Sequence, residues 1–370
     1  MHKSKGINKT NMFQGLEQEL VAANYSGTGL EAYLREAEKE ISVFFENPLQ
    51  AKLALRAGGL TFEHAFIKAD GEKKFVVGIL ERLLSEFREA RDIDAKKFIS
   101  LWEEQSLMVG NAIKNVAGIA KLMGGENNLE EPYLVKYLFR LLGDYLEGSL
   151  QAFCRLRLAV WALLHHRRIG ATPVKNMSYG KVLEELSCET SEGIYFSPEP
   201  KLLLSQWRNI AQHNSYRVVE GGAKCSYGSG DNIKEVDVSV AELKHIVNYV
   251  NDLYYAHKIA YEFFNTDNLN DVSQILEGRE LPEYDRDCAF AYSIVAMGFS
   301  IVHVEHFPNK WKLTLMDVNG RGKKKSKSAL QSACIPYIMF SKPFELEATV
   351  RSGINSYKYS FMVSTSNASS

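Results

Sequence analysis

The sequence predicts a mainly α protein that closes with an α+β domain. Three observations lead there. Apolar residues recur at helical spacing through most of the first 265 positions, a strict two-residue alternation replaces that spacing after position 280, and the glycine-, asparagine- and proline-bearing stretch GGENNLEEP (124–132) interrupts the helical pattern. Together they divide the chain into a helical N-terminal region (1–124), a central helical bundle (125–266) and a C-terminal α+β domain (280–365) containing an antiparallel sheet.

The length of 370 residues accommodates two or three domains, and 45% hydrophobic with 24% charged residues is a globular composition. A net charge of −1 excludes nucleic-acid binding through the overall field and leaves only local basic patches for that purpose. Five cysteines, odd in number and without a CxxC pair, suggest neither a disulfide framework nor a zinc site, and they read as reduced thiols of a cytoplasmic protein. The basic start MHKSKGINKTNM has no apolar run behind it, which argues against a signal peptide. Arg155, Arg157 and His165 interrupt the most hydrophobic region, so no stretch suits a bilayer and no membrane partner is expected.

Taken in order, GLEAYLREAEKEISVFF and GILERLLSEFREARD carry strong helix formers at helical spacing. Between them FEHAFI and KKFVV flank ADGEK, which leaves a helix pair and a short hairpin both open. Tyr133 to Arg168 reads as one long helix with a break near Gly143 or Gly148. SYGKVLEEL (178–186) is a short helix, CETSEGIYFSPEP a loop, and KLLLSQWRNIAQH begins another helix just beyond Pro200. In that helix Leu203, Trp207 and Ile210 fall on a core-facing stripe, while Gln206, Asn209 and His213 share the opposite one. YRVV and KCSY flank a glycine pair as a β-hairpin or an irregular loop. Ser239 and Glu242 then have the spacing of a capping box, opening a helix with Leu243, Ile246, Val250, Leu253, His257, Ala260 and Phe264 along one face. Beyond it, Trp311, Leu313 and Leu315, then Phe344, Leu346, Ala348 and Val350, then Tyr357, Tyr359, Phe361 and Val363 alternate with polar residues as half-buried strands. The tail STSNASS reads as disordered.

The chemistry concentrates in RNIAQH, Arg208 to His213. A histidine exchanges its proton near neutral pH, and a position at a helix end places it beside the negative pole of the peptide dipoles. Asn209, one turn before His213, is spaced to hydrogen-bond the imidazole and fix its orientation. Arg208 lies about 140° round the helix from His213, within reach of a phosphate held near the ring. The pair supplies a proton-transfer group and an anion clamp. Tyr216 follows three residues after His213, as a substrate contact or as the first residue of a strand. Asp144 and Glu147, a turn apart on the preceding helix, suit either the same cleft or plain solvation.

An Arg-x4-His spacing alone is a weak signal, but here it sits on a bundle helix followed by a turn or hairpin and a capped apolar helix. That order, with Asn directly after Arg, resembles the HEPN superfamily over about residues 131–265, with SYGKVLEEL in the place of the short preceding helix. The resemblance implies a HEPN-like helical bundle and an endoribonuclease in which the RNA's own 2′-OH attacks the phosphodiester and leaves a 2′,3′-cyclic phosphate. It implies Arg208, Asn209 and His213 as catalytic residues, no cofactor and no metal, a homodimer whose two motifs meet in one cleft, and service as a toxin or antiviral-defence effector with an antitoxin or regulatory partner. The alternative it leaves open is a non-enzymatic HEPN-like module for dimerisation or for binding a ligand or partner.

GRGKKKSKS (320–328) places Arg321, Lys323, Lys324, Lys325 and Lys327 between two strands. As a basic hairpin tip it suits RNA phosphates, the bland alternative being a solvated loop. HHRR (165–168) suits a helix end, and VHVEH splits His303 and Glu305 from His306 across a strand, which disfavours a metal site.

Overall fold

The computed structural model describes residues 7–8, 30–56, 60–70, 74–120, 129–165, 174–190, 193–228, 230–269, 271–272, 290, 294, 298–318, 320, 323–334 and 344–363. The tail STSNASS, Arg321 and Cys288 lie outside them. The fold is mainly α, with two compact units, one of residues 1–69 with 276–370 and one of residues 70–275. Among the described residues no helix is long and apolar enough to cross a membrane.

In the first unit α1 (Leu30–Ile41), α2 (Pro48–Arg56) and α3 (Thr61–Asp70) precede the second unit in sequence. FEHAFI therefore belongs to a helix and not to a hairpin. Its buried His64 explains part of the preference, since the ring reaches Glu40 on α1 at 2.5 Å, a contact between helices that local sequence does not encode.

The same unit holds a five-stranded sheet in the order β1-β5-β6-β7-β8, with β1 Ile7–Asn8, β5 Phe299–Phe307, β6 Lys310–Asp317, β7 Phe344–Ser352 and β8 Asn355–Val363. The sheet is mixed, not antiparallel: β6 and β7 run parallel, while β5 with β6 and β7 with β8 are antiparallel. A parallel pair needs a crossover, and α11 (Lys323–Ala333) supplies it. Within GRGKKKSKS, residues 323–328 accordingly begin a helix and are not a hairpin tip. Alternation in the strands reports which side chains turn inward but not the direction of the neighbouring strand. Trp311, Leu313, Leu315, Leu346 and Val350 form the inward face and pack with Leu330 of α11, Phe290 and Ile294.

The second unit is a helical bundle with a small sheet. Its helices are α4 (Phe75–Ile93), α5 (Ala95–Ala120), α6 (Glu131–Tyr145), α7 (Gln151–Leu164), α8 (Tyr179–Thr190), α9 (Leu204–Gln212) and α10 (Val240–Asp267). α4 and α5, which the sequence places in a separate N-terminal region, pack within this bundle. Their Phe87, Phe98 and Trp102 meet Phe264 of α10 at ring centroid distances of 4.8–5.8 Å, and the Trp102 Nε1 donates to Asn265 Oδ1 at 2.8 Å. Ser239 and Glu242 form the capping box of α10 as expected. YRVV and KCSY are the hairpin strands β2 (Tyr216–Val219) and β3 (Gly222–Tyr227), and β4 (Lys234–Ser239) completes an antiparallel three-stranded sheet. The break expected in the long helix is a π turn over Leu146–Leu150, joining α6 to α7.

Candidate functional site

α9 is fixed at both ends, which determines where RNIAQH points. At its start the Leu204 N–H donates to the Tyr195 carbonyl at 2.9 Å, and Trp207, fully buried, donates from Nε1 to Ser197 Oγ at 2.8 Å. Leu204, Trp207 and Ile210 form the buried stripe. Leu203, expected on that stripe, precedes the helix and pairs instead with Phe196 in an isolated bridge. At the other end His213 is the C-cap, Asn214 takes the left-handed conformation at φ 51°, and the Ser215 N–H returns to the Ile210 carbonyl at 3.0 Å. That is a Schellman termination, with asparagine in the place usually taken by glycine. It leaves His213 exposed at the helix tip.

Gly143 of α6 lies against this tip: a Cβ there would fall 3.1 Å from Gln212 Nε2 and 3.3 Å from Ala211 Cβ. The missing side chain lets α6 and the end of α9 approach closely. One turn further along, Glu147 lies in the π turn, a device often found where a helix presents a functional side chain. Asn115 of α5 donates to the Gly148 carbonyl at 2.7 Å and so satisfies a polar group of that turn.

Arg208 is held by two side chains. Its Nη2 donates to Glu147 Oε1 at 2.6 Å and its Nη1 to Asn209 Oδ1 at 3.1 Å. The side chain is 26% exposed, and Nε is buried without a hydrogen-bond partner among the described residues. Asn209 thus orients Arg208 and not the imidazole, because its carboxamide oxygen faces the guanidinium; only its backbone carbonyl reaches His213, accepting that residue's N–H at 3.0 Å. The His213 ring has no partner among the described residues, which leaves both nitrogens available to an incoming group. Asp144 lies 3.9 Å from Arg140, and partial burial raises its carboxyl pKa while Arg140 acts in the other direction.

Tyr216 opens β2, and its ring stacks on Phe139 of α6 with centroids 4.0 Å apart and planes 18° apart. One face of the ring is therefore covered, and burial raises the hydroxyl pKa. Lys323, Lys324 and Lys325 lie in the first unit as the exposed first turn of α11, without an ion-pair partner among the described residues. Arg321 lies outside the described residues.

Sequence reasoning missed a buried polar chain behind the site. Arg157 of α7 donates twice to Glu86 of α4, at 2.9 and 2.6 Å, and once to the Tyr195 hydroxyl at 3.1 Å. That hydroxyl lies 3.2 Å from His257 Nε2, and the other ring nitrogen of His257 lies 2.8 Å from the Leu253 carbonyl. Burial, followed by the Arg157 charge, depresses the His257 pKa to about 3, so the ring is neutral and donates from Nδ1 to Leu253 while Nε2 accepts from Tyr195. The available signal was Arg157 and His257 lying within apolar stripes, where a polar group requires a partner. Because the Tyr195 carbonyl holds the first turn of α9, this chain connects α4, α7 and α10 to the helix carrying Arg208.

The arrangement puts a cation on α9 and an accessible imidazole at its end, two groups suited to holding an oxyanion and moving a proton. Among the described residues no three His, Cys, Asp or Glu side chains gather as a metal site. Cys154 is fully buried and its thiol is pushed up to about 12 by burial, which makes it a poor nucleophile. Comparison of the chain with protein-family models, with curated proteins and with solved structures finds no match.

Proposed function

We propose that this protein is a HEPN-type endoribonuclease that cuts RNA by attack of the 2′-OH on the adjacent phosphodiester, leaving a 2′,3′-cyclic phosphate. The observation that carries the proposal is the pairing on α9 of a partly exposed Arg208, oriented by Glu147 and Asn209, with an accessible His213 at the helix end. His213 transfers the proton and Arg208 supports the charge that develops on the phosphate. The nucleophile belongs to the substrate, so the step needs no metal and no cofactor. Two copies of the chain, meeting across a cleft, would place two such motifs on one RNA, and the protein would act as a toxin or antiviral-defence effector under an antitoxin or regulatory partner. The lysines of α11 contribute salt-dependent affinity for phosphates.

The test is to incubate purified protein with total RNA and map the ends. Wild type yields 2′,3′-cyclic phosphate ends, Arg208→Ala loses about 10²–10³-fold in rate and His213→Ala about 10²–10⁴-fold. Cleavage that survives a 2′-deoxy substitution at the scissile position would overturn the mechanism. A second reading, a non-enzymatic HEPN-like module, is favoured by one observation: both Nη atoms of Arg208 are engaged within the protein. Equal RNA decay with wild type and His213→Ala supports that reading.

A further inference from the structure

Lys136, Arg140 and Gly143 of α6 follow at i, i+4 and i+7, one stripe of a helix, and Glu147 of the π turn continues it beyond the end of α6. Two of the four are located by their contacts: Gly143 abuts the tip of α9 and Glu147 holds Arg208. The stripe therefore runs from the candidate site outward along α6, and the two residues that extend it are cations. Both are exposed. Lys136 has no ion-pair partner among the described residues, and Arg140 reaches only Asp144, at 3.9 Å with 72% of its side chain in solvent, a surface pair of little strength. Beside Lys136 stands Tyr133, a tyrosine with 60% exposure that contributes little to the core, with the lysine ammonium 6.0 Å from its ring centre.

We infer that this face of α6 is a track for single-stranded RNA, along which Lys136 and Arg140 hold phosphates and Tyr133 stacks on a base. The inference rests on the proposed ribonuclease reading of the site at its end. Cations next to an exposed aromatic ring fit an unpaired strand, since phosphates supply the negative charge and unstacked bases the π-faces. Of the carboxylates near the row, Glu147 is committed to Arg208, Glu131 accepts the Gly221 N–H at 2.7 Å and Asp144 meets Arg140 only loosely, which leaves Glu130 at the far end of α6. An unpaired strand lying on the row would be led towards Arg208 and His213.

The experiment measures binding of a fluorescent single-stranded 2′-O-methyl oligoribonucleotide, which lacks the attacking hydroxyl, to the full chain, alongside cleavage of its unmodified counterpart. The variants are Lys136→Glu with Arg140→Glu, the milder Lys136→Gln with Arg140→Gln, Tyr133→Ala, and His213→Ala. The charge reversal is expected to weaken binding more than tenfold, and the neutral pair to flatten the dependence of log K on log salt by about 1.4, the loss of two single-strand phosphate contacts. Tyr133→Ala weakens binding about 5- to 150-fold, the loss of one stacked base. His213→Ala binds like wild type and cuts about 10²–10⁴-fold more slowly. If wild type binds and cuts while the charge reversal does both equally well, the track is wrong and the ribonuclease reading stands. If wild type neither binds nor cuts, the ribonuclease reading fails and the track with it.

Discussion

Two arginines of the bundle each hold a glutamate at 2.6 Å, and their surroundings give them opposite roles. Arg157 is 1% exposed, and its Glu86, Tyr195 and His257 neighbours complete a chain of hydrogen bonds inside the bundle. Arg208 is 26% exposed, its glutamate is 40% exposed, and its Nε has no partner among the described residues. A buried, matched guanidinium joins helices together; a partly solvated one held by a single carboxylate keeps further N–H donors for a second oxyanion beside it. The same chemical pair is architecture in one region and the centre of the candidate site in the other.

The largest expected effect comes from breaking the buried member. Arg157→Ala strands Glu86 and removes a donor from Tyr195, and loses about 3–5 kcal/mol in denaturant unfolding; Arg157→Met combined with Glu86→Leu recovers most of it. A loss below about 1 kcal/mol would show that the chain is incidental to the bundle.

Next in size is the pH response of that region. In the unfolded chain a histidine takes up its proton near pH 6.5, whereas folded His257 resists doing so until about pH 3. The unfolded state therefore binds the extra proton, and the stability contributed by neutral His257 is fully present above about pH 6.5 and is lost as the pH falls from there towards 3. The contribution is on the order of a few kcal/mol. Denaturation midpoints measured from pH 7 to pH 4 should fall more steeply for wild type than for His257→Gln, which does not titrate; parallel profiles would contradict the assignment of a neutral, buried ring.

The smallest effect sharpens the other side of the comparison. Glu147→Gln removes a partly solvated pair and should cost less than about 1 kcal/mol of stability. A loss matching that of Arg157→Ala would make Arg208 a second structural arginine, and the contrast would disappear.

Much of the fold was legible. Helical spacing located α9 and α10 closely, the Ser239 and Glu242 spacing marked the α10 capping box, and strict alternation identified the inward faces of β6, β7 and β8. At the candidate site, the sequence separated the buried stripe of Trp207 and Ile210 from the polar stripe of Asn209 and His213. It misjudged the Asn209 partner, because Arg208 and His213 are both within reach of a carboxamide along one helix and only the location of Glu147 decides where the guanidinium lies.

What the sequence determined by itself was thus local: helix or strand type wherever a period persisted, the exposed end of RNIAQH, and the residues facing inward. Tertiary structure alone decided the parallel pairing of β6 with β7, the membership of α4 and α5 in the bundle, and the joining of Glu86, Arg157, Tyr195 and His257 into one chain. The physical reason is that periodicity is imposed by the backbone over neighbouring residues, whereas those pairings join residues from 35 (Lys310 and Glu345) to 177 (Phe87 and Phe264) positions apart. Their partners are selected by which buried polar groups must be satisfied once the helices have packed.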